Sequence, residues 1–420
     1  MPTIKLTYTG QRIDLNETFK ALAVVRMSDD PVIIQIPRGS TLAPFNSEGR
    51  SHWRIVTYGT GPRPRTARQS GDRDTGITIN QACSDIGING LDLTAFRINI
   101  LLDPGSTGFI DDVTLEDNLI ADARSGGADA HGIFCDYVRG LRLIRNLFDD
   151  NGDETTEGAN DDIRDHHIYM VGGHDAVKSC GEVYAEGNVY LNAREGGQYG
   201  GGGIWKDNIY LDNWGGPEIR EKNPSPTPVL LTMIGNTVVG VIKRGPFLHN
   251  LKYLTMRDNV IICKTPSDIA QRQAVGVSDD GLPTSLPMII SDNYQRGFTQ
   301  VKDPRFNFPQ WTDSVPTLDK AEIRRRFGEP GFTALDLKAK LRGGVVAPPV
   351  PTPDPVATPP ADTTNWKAKW ELEHQAWLNT EALYAASNSR IITLRSRLTN
   401  TNTYLETLRD EVAATLEQTK

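Results

Sequence analysis

The sequence predicts an all-β solenoid of short stacked strands, followed by a proline-rich linker and a C-terminal α-helix. Three observations support this. A short asparagine phrase recurs through the middle of the chain, prolines cluster after residue 344, and residues 364–420 contain neither glycine nor proline. These changes divide the chain into five predicted parts: an N-terminal β cap at 1–75, a solenoid at 76–300, a C-terminal cap with a short helix at 301–343, a linker at 344–363 and a helical segment at 364–420.

The recurring phrase is a polar residue or glycine, then asparagine, then two apolar or β-branched residues. It occurs as Asp117-Asn118-Leu119-Ile120, Arg145-Asn146-Leu147-Phe148, Gly187-Asn188-Val189-Tyr190, Asp207-Asn208-Ile209-Tyr210, Gly235-Asn236-Thr237-Val238 and Asp258-Asn259-Val260-Ile261, with a weaker echo at Asp292-Asn293-Tyr294. Successive asparagines are 28, 42, 20, 28, 23 and 34 positions apart. This spacing indicates a repeat of just over twenty residues that is lengthened by loops in several turns.

Each phrase begins a short β-favouring run bounded by Gly, Asn and Asp, and the interval leaves no room for a helix of ordinary length. This excludes leucine-rich, ankyrin and tetratricopeptide repeats. Asparagine suits a repeated corner because it tolerates left-handed backbone and its amide bonds to neighbouring groups. Stacked corners are therefore expected to form a ladder of side-chain amides.

Over roughly half its length the chain resembles the right-handed parallel β-helix proteins of the pectate-lyase-like superfamily. The resemblance rests on the asparagine phrases, on Ile88-Asn89-Gly90-Leu91-Asp92-Leu93, and on the phrases Gly132-Ile133-Phe134 and Gly203-Ile204-Trp205. It implies a right-handed parallel β-helix. It does not select an activity, because the superfamily includes lyases, hydrolases, epimerases, bacteriophage tailspikes and proteins without catalysis.

Composition narrows the classes of partner. A formal charge of −8 argues against a general nucleic-acid binder, since there is no broad basic field to hold phosphates. The N-terminus lacks the pattern of a signal peptide, and no stretch is long and apolar enough to span a membrane. The four cysteines form no CxxC pair and are expected to be reduced, buried thiols. We expect synthesis in a reducing cytoplasm, followed by residence on a virion or an extracellular surface.

Two charged segments stand out. Residues 61–68 are rich in arginine, which suits either an anionic ligand or a solvated loop. The longest interval between asparagines, from Asn146 to Asn188, contains a cluster of acidic residues that could bind Ca²⁺. Its spacing departs from the helix-loop-helix calcium pattern, because Glu154 stands where glycine is required and Asn160 where the final glutamate is required. A solvated acidic loop is the alternative, and no other metal site is predicted.

The C-terminal parts have distinct patterns. Residues 318–327 are expected to form a short helix that closes the solenoid, and the seven prolines between 345 and 360 favour an extended spacer. Beyond it, large apolar residues recur every seventh position and predict a coiled-coil seam: Trp370, Trp377, Tyr384, Ile391, Leu398, Leu405 and Val412. The second seam position is only half apolar. The alternatives are a homo-oligomer, with a trimer favoured, docking on another protein, or a helix folded back on its own body.

Polar residues between the repeats supply candidate chemistry. The phrases Ala130-His131-Gly132-Ile133-Phe134-Cys135 and Asp165-His166-His167-Ile168-Tyr169-Met170 align, which places His131 beside His166 in successive coils. A polysaccharide lyase needs a base for the proton α to a uronate carboxyl and a cation for the developing charge, whereas a glycoside hydrolase needs two carboxylates. The predicted catalytic residues are His131, His166, His167, Asp175, Lys178 and Arg194. The alternative is that these residues are hydrogen-bonded turn formers.

Aromatic side chains on the solenoid could stack on sugar rings. The candidates for glycan binding are Tyr169, Tyr199, Trp205 and Trp214. The sequence as a whole favours a virion or surface appendage, of the bacteriophage tail or fibre type, whose body binds glycan or protein and whose C-terminal helix attaches it. Two alternatives remain open: a lyase or hydrolase that depolymerises acidic polysaccharide, and a structural connector subunit.

Overall fold

The chain divides into two units, 1–346 and 347–420, and the residues that the computed structural model describes lie in the first. The described residues are 3–22, 31–105, 108–124, 129–152, 166–170, 180–193, 196–220, 230–242, 244–249, 251, 253–263, 273–277, 282–284, 286, 288–298, 300–327, 329 and 332–342. The proline-rich linker at 344–363 and the seven predicted seam residues from Trp370 to Val412 lie outside them. Their predicted roles therefore stay predictions.

The described chain is mostly β. The strands up to the middle of the chain are β1 Thr3–Lys5, β2 Val32–Pro37, β3 Phe45–Asn46, β4 Trp53–Tyr58, β5 Arg65–Ala67, β6 Thr75–Asn80, β7 Cys83–Asn89, β8 Asp92–Thr94, β9 Ile98–Asp103, β10 Ile110–Glu116, β11 Leu119–Ala121, β12 His131–Cys135, β13 Val138–Arg139, β14 Leu141–Ile144 and β15 Leu147–Asp149.

The later strands have similar lengths. They are β16 His166–Met170, β17 Val183–Glu186, β18 Val189–Leu191, β19 Gln198–Tyr199, β20 Gly203–Lys206, β21 Ile209–Leu211, β22 Glu218–Arg220, β23 Leu230–Ile234, β24 Thr237–Val241, β25 Phe247–His249, β26 Tyr253–Arg257, β27 Val260–Cys263, β28 Gly276–Val277, β29 Met288–Ser291 and β30 Tyr294–Arg296. The helices are α1 Leu15–Leu22, α2 Lys320–Arg326 and α3 Ala334–Leu341, with a short 3-10 helix at Pro304–Phe306.

The strands form three long sheets in which the described strand pairs are parallel. The first sheet runs β1-β2-β4-β7-β10-β14-β17-β20-β23-β26-β29, with β13 also paired to β10. The second runs β5-β8-β11-β15-β18-β21-β24-β27-β30, and the third runs β3-β6-β9-β12-β16-β19-β22-β25-β28. Each coil contributes one strand to each sheet, so the chain is a parallel β-helix whose core lies inside the tube, as the repeat predicts.

The predicted asparagine ladder is present at the corner between the first and second sheets. Oδ1 of Asn188 accepts hydrogen bonds from the backbone N and from Nδ2 of Asn146, at 2.9 and 3.1 Å. Nδ2 of Asn188 in turn donates to Oδ1 of Asn208 and to the carbonyl of Leu143. The same pattern links the buried amides of Asn118, Asn146, Asn188, Asn208, Asn236, Asn259 and Asn293.

The N-terminal end of the tube is covered by α1, which the sequence analysis did not predict. Phe19 is fully buried, and its ring centroid lies 5.6 Å from that of Phe45 and 4.9 Å from that of Trp53. The solenoid also begins earlier than residue 76, because β2 and β4 pair in parallel over six positions. The predicted cap therefore contains both the first coils and a helix that closes them.

The C-terminal region divides into an end cap and a flank. Phe306 and Phe308 belong to the interior apolar cluster, and the backbone N of Gln295 donates to the carbonyl of Pro309 at 3.0 Å. These residues cover the last coil. The helices α2 and α3 do not, which differs from the expectation that the short helix closes the end.

Instead, α2 and α3 pack against the outer face of the second sheet. Their buried residues Ile323, Leu337 and Leu341 join an apolar cluster with strand residues such as Leu147 and Ile209. The outer face of this sheet is apolar in its middle coils, and burying it removes that surface from water. We call residues 320–342 the helical strap.

Candidate functional site

The outer face of the third sheet brings two predicted site residues together. Strands β12 and β16 pair in parallel, with His131 opposite His166 and Phe134 opposite Tyr169. This is the register that the aligned phrases predict. The intervening Ile133 and Ile168 are fully buried in the core, so they face inward.

The two adjacent histidines of β16 face opposite sides of the sheet. His167 and Ile168 both point into the tube, whereas the ring of His166 lies 5.2 Å from that of Tyr169 on the outer face. A glycine occupies the neighbouring position of β12 because a Cβ on Gly132 would lie 2.5 Å from the carbonyl oxygen of His167. In a regular strand, consecutive side chains point to opposite faces, whereas His167 and Ile168 both point inward. This departure depends on the absence of a side chain at Gly132.

His131, Phe134, His166 and Tyr169 form a continuous group that we call the histidine patch. The ring of His131 stacks on that of Tyr169, with centroids 5.1 Å apart and planes 11° apart. The ring of His131 is also 5.9 Å from that of His166 and 5.8 Å from that of Phe134. The patch thus combines two imidazoles with aromatic surface at one place on the sheet.

Burial keeps the patch imidazole of His131 neutral. Its pKa is lowered well below the usual value, first because burial disfavours the charged ring and then because His166 and Arg97 add positive charge nearby. His131 is 2% exposed, and its Nδ1 has no hydrogen-bond partner within the part of the chain that the structure describes. The neutral ring can accept a proton at its free nitrogen, and the same burial makes it a weaker base than an exposed imidazole.

His167 has a different environment from its neighbour. Nδ2 of Asn151 donates to its Nδ1, and its Nε2 donates to Oδ1 of Asn213, each at 3.1 Å. The ring is fully buried, and burial lowers its pKa to about 3. With Asn99, these residues form a second interior ladder, because Nδ2 of Asn99 donates to Oδ1 of Asn151. The structure therefore places His167 where it cannot touch a ligand on the outer face, which does not support its predicted catalytic role.

The other predicted catalytic residues cannot be located in the same way. Asp175, Lys178 and Arg194 lie outside the described residues, so their roles stay predictions. One cation that the sequence analysis overlooked, Arg97, lies beside the patch at the start of β9. Its backbone carbonyl accepts a hydrogen bond from the backbone N of His131 at 2.9 Å.

The four predicted glycan-binding aromatics separate into three environments. Tyr169 belongs to the histidine patch, where it is 5% exposed, and Trp214 lies half-buried in the turn between β21 and β22. Tyr199 and Trp205 are fully buried, with ring centroids 5.1 Å apart in the interior. Within β20 the neighbouring residue, Ile204, faces outward and is 40% exposed. The alternation of β20 therefore turns Trp205 into the core, and Tyr199 of β19 is buried in the same core, contrary to the prediction for both.

The two charged segments that the sequence analysis singled out make contacts with the helical strap. In the basic segment, Nη1 of Arg63 donates to the carbonyl of Phe327, which ties the segment to the helical strap. In the acidic insertion, Asp149 pairs with Arg324 at 3.2 Å. No group of three or more potential metal ligands occurs among the residues that the structure describes. The Ca²⁺ site stays a prediction, because most of the insertion lies outside the described residues.

No helix in the described part of the chain is long and apolar enough to cross a membrane.

The comparisons with known proteins give likenesses to solved structures alone. No protein-family profile matches the chain, and no curated protein sequence matches it. The chain is similar in structure to the crystal structure of an alginate lyase from Paenibacillus sp. str. FPU-7. The identity is 13%, the match covers 70% of this chain and 99% of the other, and the TM-score is 0.34.

Proposed function

We propose that the chain binds a polysaccharide along the outer face of its third sheet and cleaves it as a lyase. The observation that carries the proposal is the histidine patch, where the neutral imidazole of His131 stacks on Tyr169 beside His166 and Arg97. Aromatic faces give sugar rings a surface for packing, and the imidazole gives the reaction a base.

The lyase reaction assigns separate tasks to these groups. His131 takes the proton α to the carboxyl group of a uronic acid, the electrons of that C–H bond form a carbon–carbon double bond, and the C–O bond to the next sugar breaks. The leaving oxygen then takes up a proton. Arg97 would stabilise the negative charge that builds up on the carboxyl group as the proton leaves.

The composition of the patch supports elimination over hydrolysis. A glycoside hydrolase needs two carboxylates that flank the bond, and none of the four side chains of the patch is a carboxylate. Cleavage is also compatible with a tethered appendage, because the linker and the C-terminal helix would deliver the body to its polysaccharide. The bacteriophage origin, the virion or extracellular location and the oligomer stay predictions.

The test uses the full chain and a broad panel of uronate-containing and neutral polysaccharides. Two products are followed, the ultraviolet absorbance of the new conjugated double bond and the appearance of reducing ends. We expect both with at least one uronate polymer. The variant His131→Gln keeps a similar volume but removes the base, and should lower kcat/KM by about 10²- to 10⁴-fold.

A histidine far from the patch provides the control. His52 lies in the turn before β4 and pairs with Asp85, so His52→Asn should leave the rate unchanged. Absence of product across the panel, or a wild-type rate in His131→Gln, would refute the lyase proposal. Binding without product would leave a glycan-binding protein, as in the appendage alternative.

A further inference from the structure

The outward row that begins in the histidine patch continues along the third sheet. The register places Tyr169 opposite Gln198, Gln198 opposite Glu218, and Glu218 opposite Phe247. Adjacent strands lie about 4.8 Å apart, so the three steps from Tyr169 to Phe247 span about 14 Å. Phe247 faces outward, because the next residue, Leu248, is fully buried in the core.

A second group of contacting side chains lies at the far end of this row. The guanidinium carbon of Arg244 lies 3.9 Å from the ring centroid of Phe247, and Nη2 of Arg244 is 2.9 Å from Oε2 of Glu218. Glu218 is 4% exposed, whereas the side chain of Arg244 is 19% exposed. The planar guanidinium is therefore held on two sides and keeps some access to solvent.

Gly276 makes room for this arrangement. A Cβ at this position would lie 2.7 Å from Cδ2 of Phe247 and 3.1 Å from Cδ of Arg244. Both side chains thus lean over a residue that has no side chain of its own. The geometry of the stack depends on the glycine in the next coil.

We infer that Glu218, Arg244 and Phe247 form a distal subsite that binds the hydroxyl groups of a sugar several units away from the point of cleavage. The ion pair between Glu218 and Arg244 is close to neutral, so the subsite recognises polar hydroxyls better than a carboxylate. The N–H groups of the stacked guanidinium donate to those hydroxyls. The inference rests on the proposed function, and it implies that the site favours long chains over short fragments.

The test measures binding of oligosaccharides of increasing length, prepared from the polymer that the wild-type chain cleaves best. Arg244→Lys keeps the charge but loses the planar stacked donors. Its affinity for chains long enough to span about 14 Å should fall about tenfold, while its affinity for short fragments should not change. Arg139→Lys is the matched control, because Arg139 also stacks on a phenylalanine, Phe109, at 4.0 Å, and pairs with Asp111. It should bind all lengths as the wild type does.

A second variant tests the chemistry of the subsite. Glu218→Gln preserves the shape but removes the negative charge that pairs with Arg244 in the wild type, so it should raise the preference for acidic over neutral long chains. Length-independent binding by the wild type, or equal losses for short and long chains in Arg244→Lys, would overturn the distal subsite and leave the proposed function standing. If no polysaccharide binds at all, the proposed function fails and the subsite fails with it.

Discussion

The ring of His167 donates from Nε2 to Oδ1 of Asn213 at 3.1 Å, across 46 positions of sequence. Asn213 also accepts a hydrogen bond from the backbone N of Ala193, just as Asn151 accepts one from that of Ala123. Ala123 and Ala193 have no side-chain amide for the ladder. The side chains of the strand residues Asn99 and His167 make the hydrogen bonds to Asn151 and Asn213 in their place. The histidine therefore completes an interior hydrogen-bond network.

This placement predicts a pH-dependent stability. The pKa of His167 is about 3 in the folded chain and about 6.5 in the unfolded chain. Between pH 3 and pH 6.5 the imidazole is therefore protonated in the unfolded chain and neutral in the folded chain. The free energy of unfolding should be highest above pH 6.5 and should fall by up to about 1.4 kcal/mol per pH unit below it, down to about pH 3. Urea unfolding at a series of pH values measures this slope.

The variant His167→Gln should show a smaller slope, because it removes the titrating ring. Part of the slope should remain, since burial also lowers the pKa of His131. Identical slopes for the wild type and His167→Gln would contradict the assignment.

The asparagine ladder predicts a large loss of stability on truncation of one rung. Asn188→Ala removes four hydrogen bonds and leaves neighbouring buried groups without partners. We expect the free energy of unfolding to fall by about 3 kcal/mol or more. Asn89→Ala is the control, because the structure gives the Asn89 side chain one bond, to Glu116, and it should cost less than about 1 kcal/mol. Similar losses in both variants would argue against the ladder as a main source of stability.

The contacts of Arg342 at the end of the helical strap predict that the strap can detach from the sheet while the solenoid stays folded. Arg342 is 4% exposed, pairs with Asp258 at 2.9 Å, and donates to Oγ1 of Thr237 and to the carbonyls of Gly235 and Asn236. Arg342→Met should leave the carboxylate of Asp258 with Lys338 as its remaining cation and these acceptors without their donor, and should destabilise the docked strap by about 3 kcal/mol.

Hydrogen exchange of the α3 amides is the measurement for this variant, and it should accelerate there first. Arg325 offers a control within the strap, since its side chain is exposed. Arg325→Met should leave exchange in α3 close to wild type. Unchanged protection of α3 in Arg342→Met would show that Arg342 does not hold the strap in place.

The cysteines predict low thiol reactivity. All four are buried, and burial raises the pKa of Cys83 and of Cys180 to about 12, so the reactive thiolate is scarce near neutral pH. Thiol titration with an aromatic disulfide should be slow in the folded chain and should reach four thiols per chain after denaturation. Rapid reaction of any thiol in the folded chain would contradict this burial.

The repeat made the fold predictable, and with it one relation within the candidate site. The alignment of two phrases was enough to place His131 opposite His166, because parallel coils keep residues in register. The same alignment pairs Phe134 with Tyr169, so it also predicts the two other members of the histidine patch. The position of α1 was not predictable, because a short amphipathic helix gives a weaker pattern than seven repeated phrases.

The sequence by itself determined the parallel coils, the asparagine corners and the pairing of the two histidine-bearing strands, because these follow from local turn chemistry repeated at a regular interval. Only the tertiary structure decided which side chains face outward. A local departure from the strand pleat at Gly132 and His167 reverses the expected alternation, and the regular pleat of β20 turns Trp205 inward and Ile204 outward. It also decided where the helical strap lies, because the apolar outer face that the strap buries is assembled from strands that are far apart in the sequence.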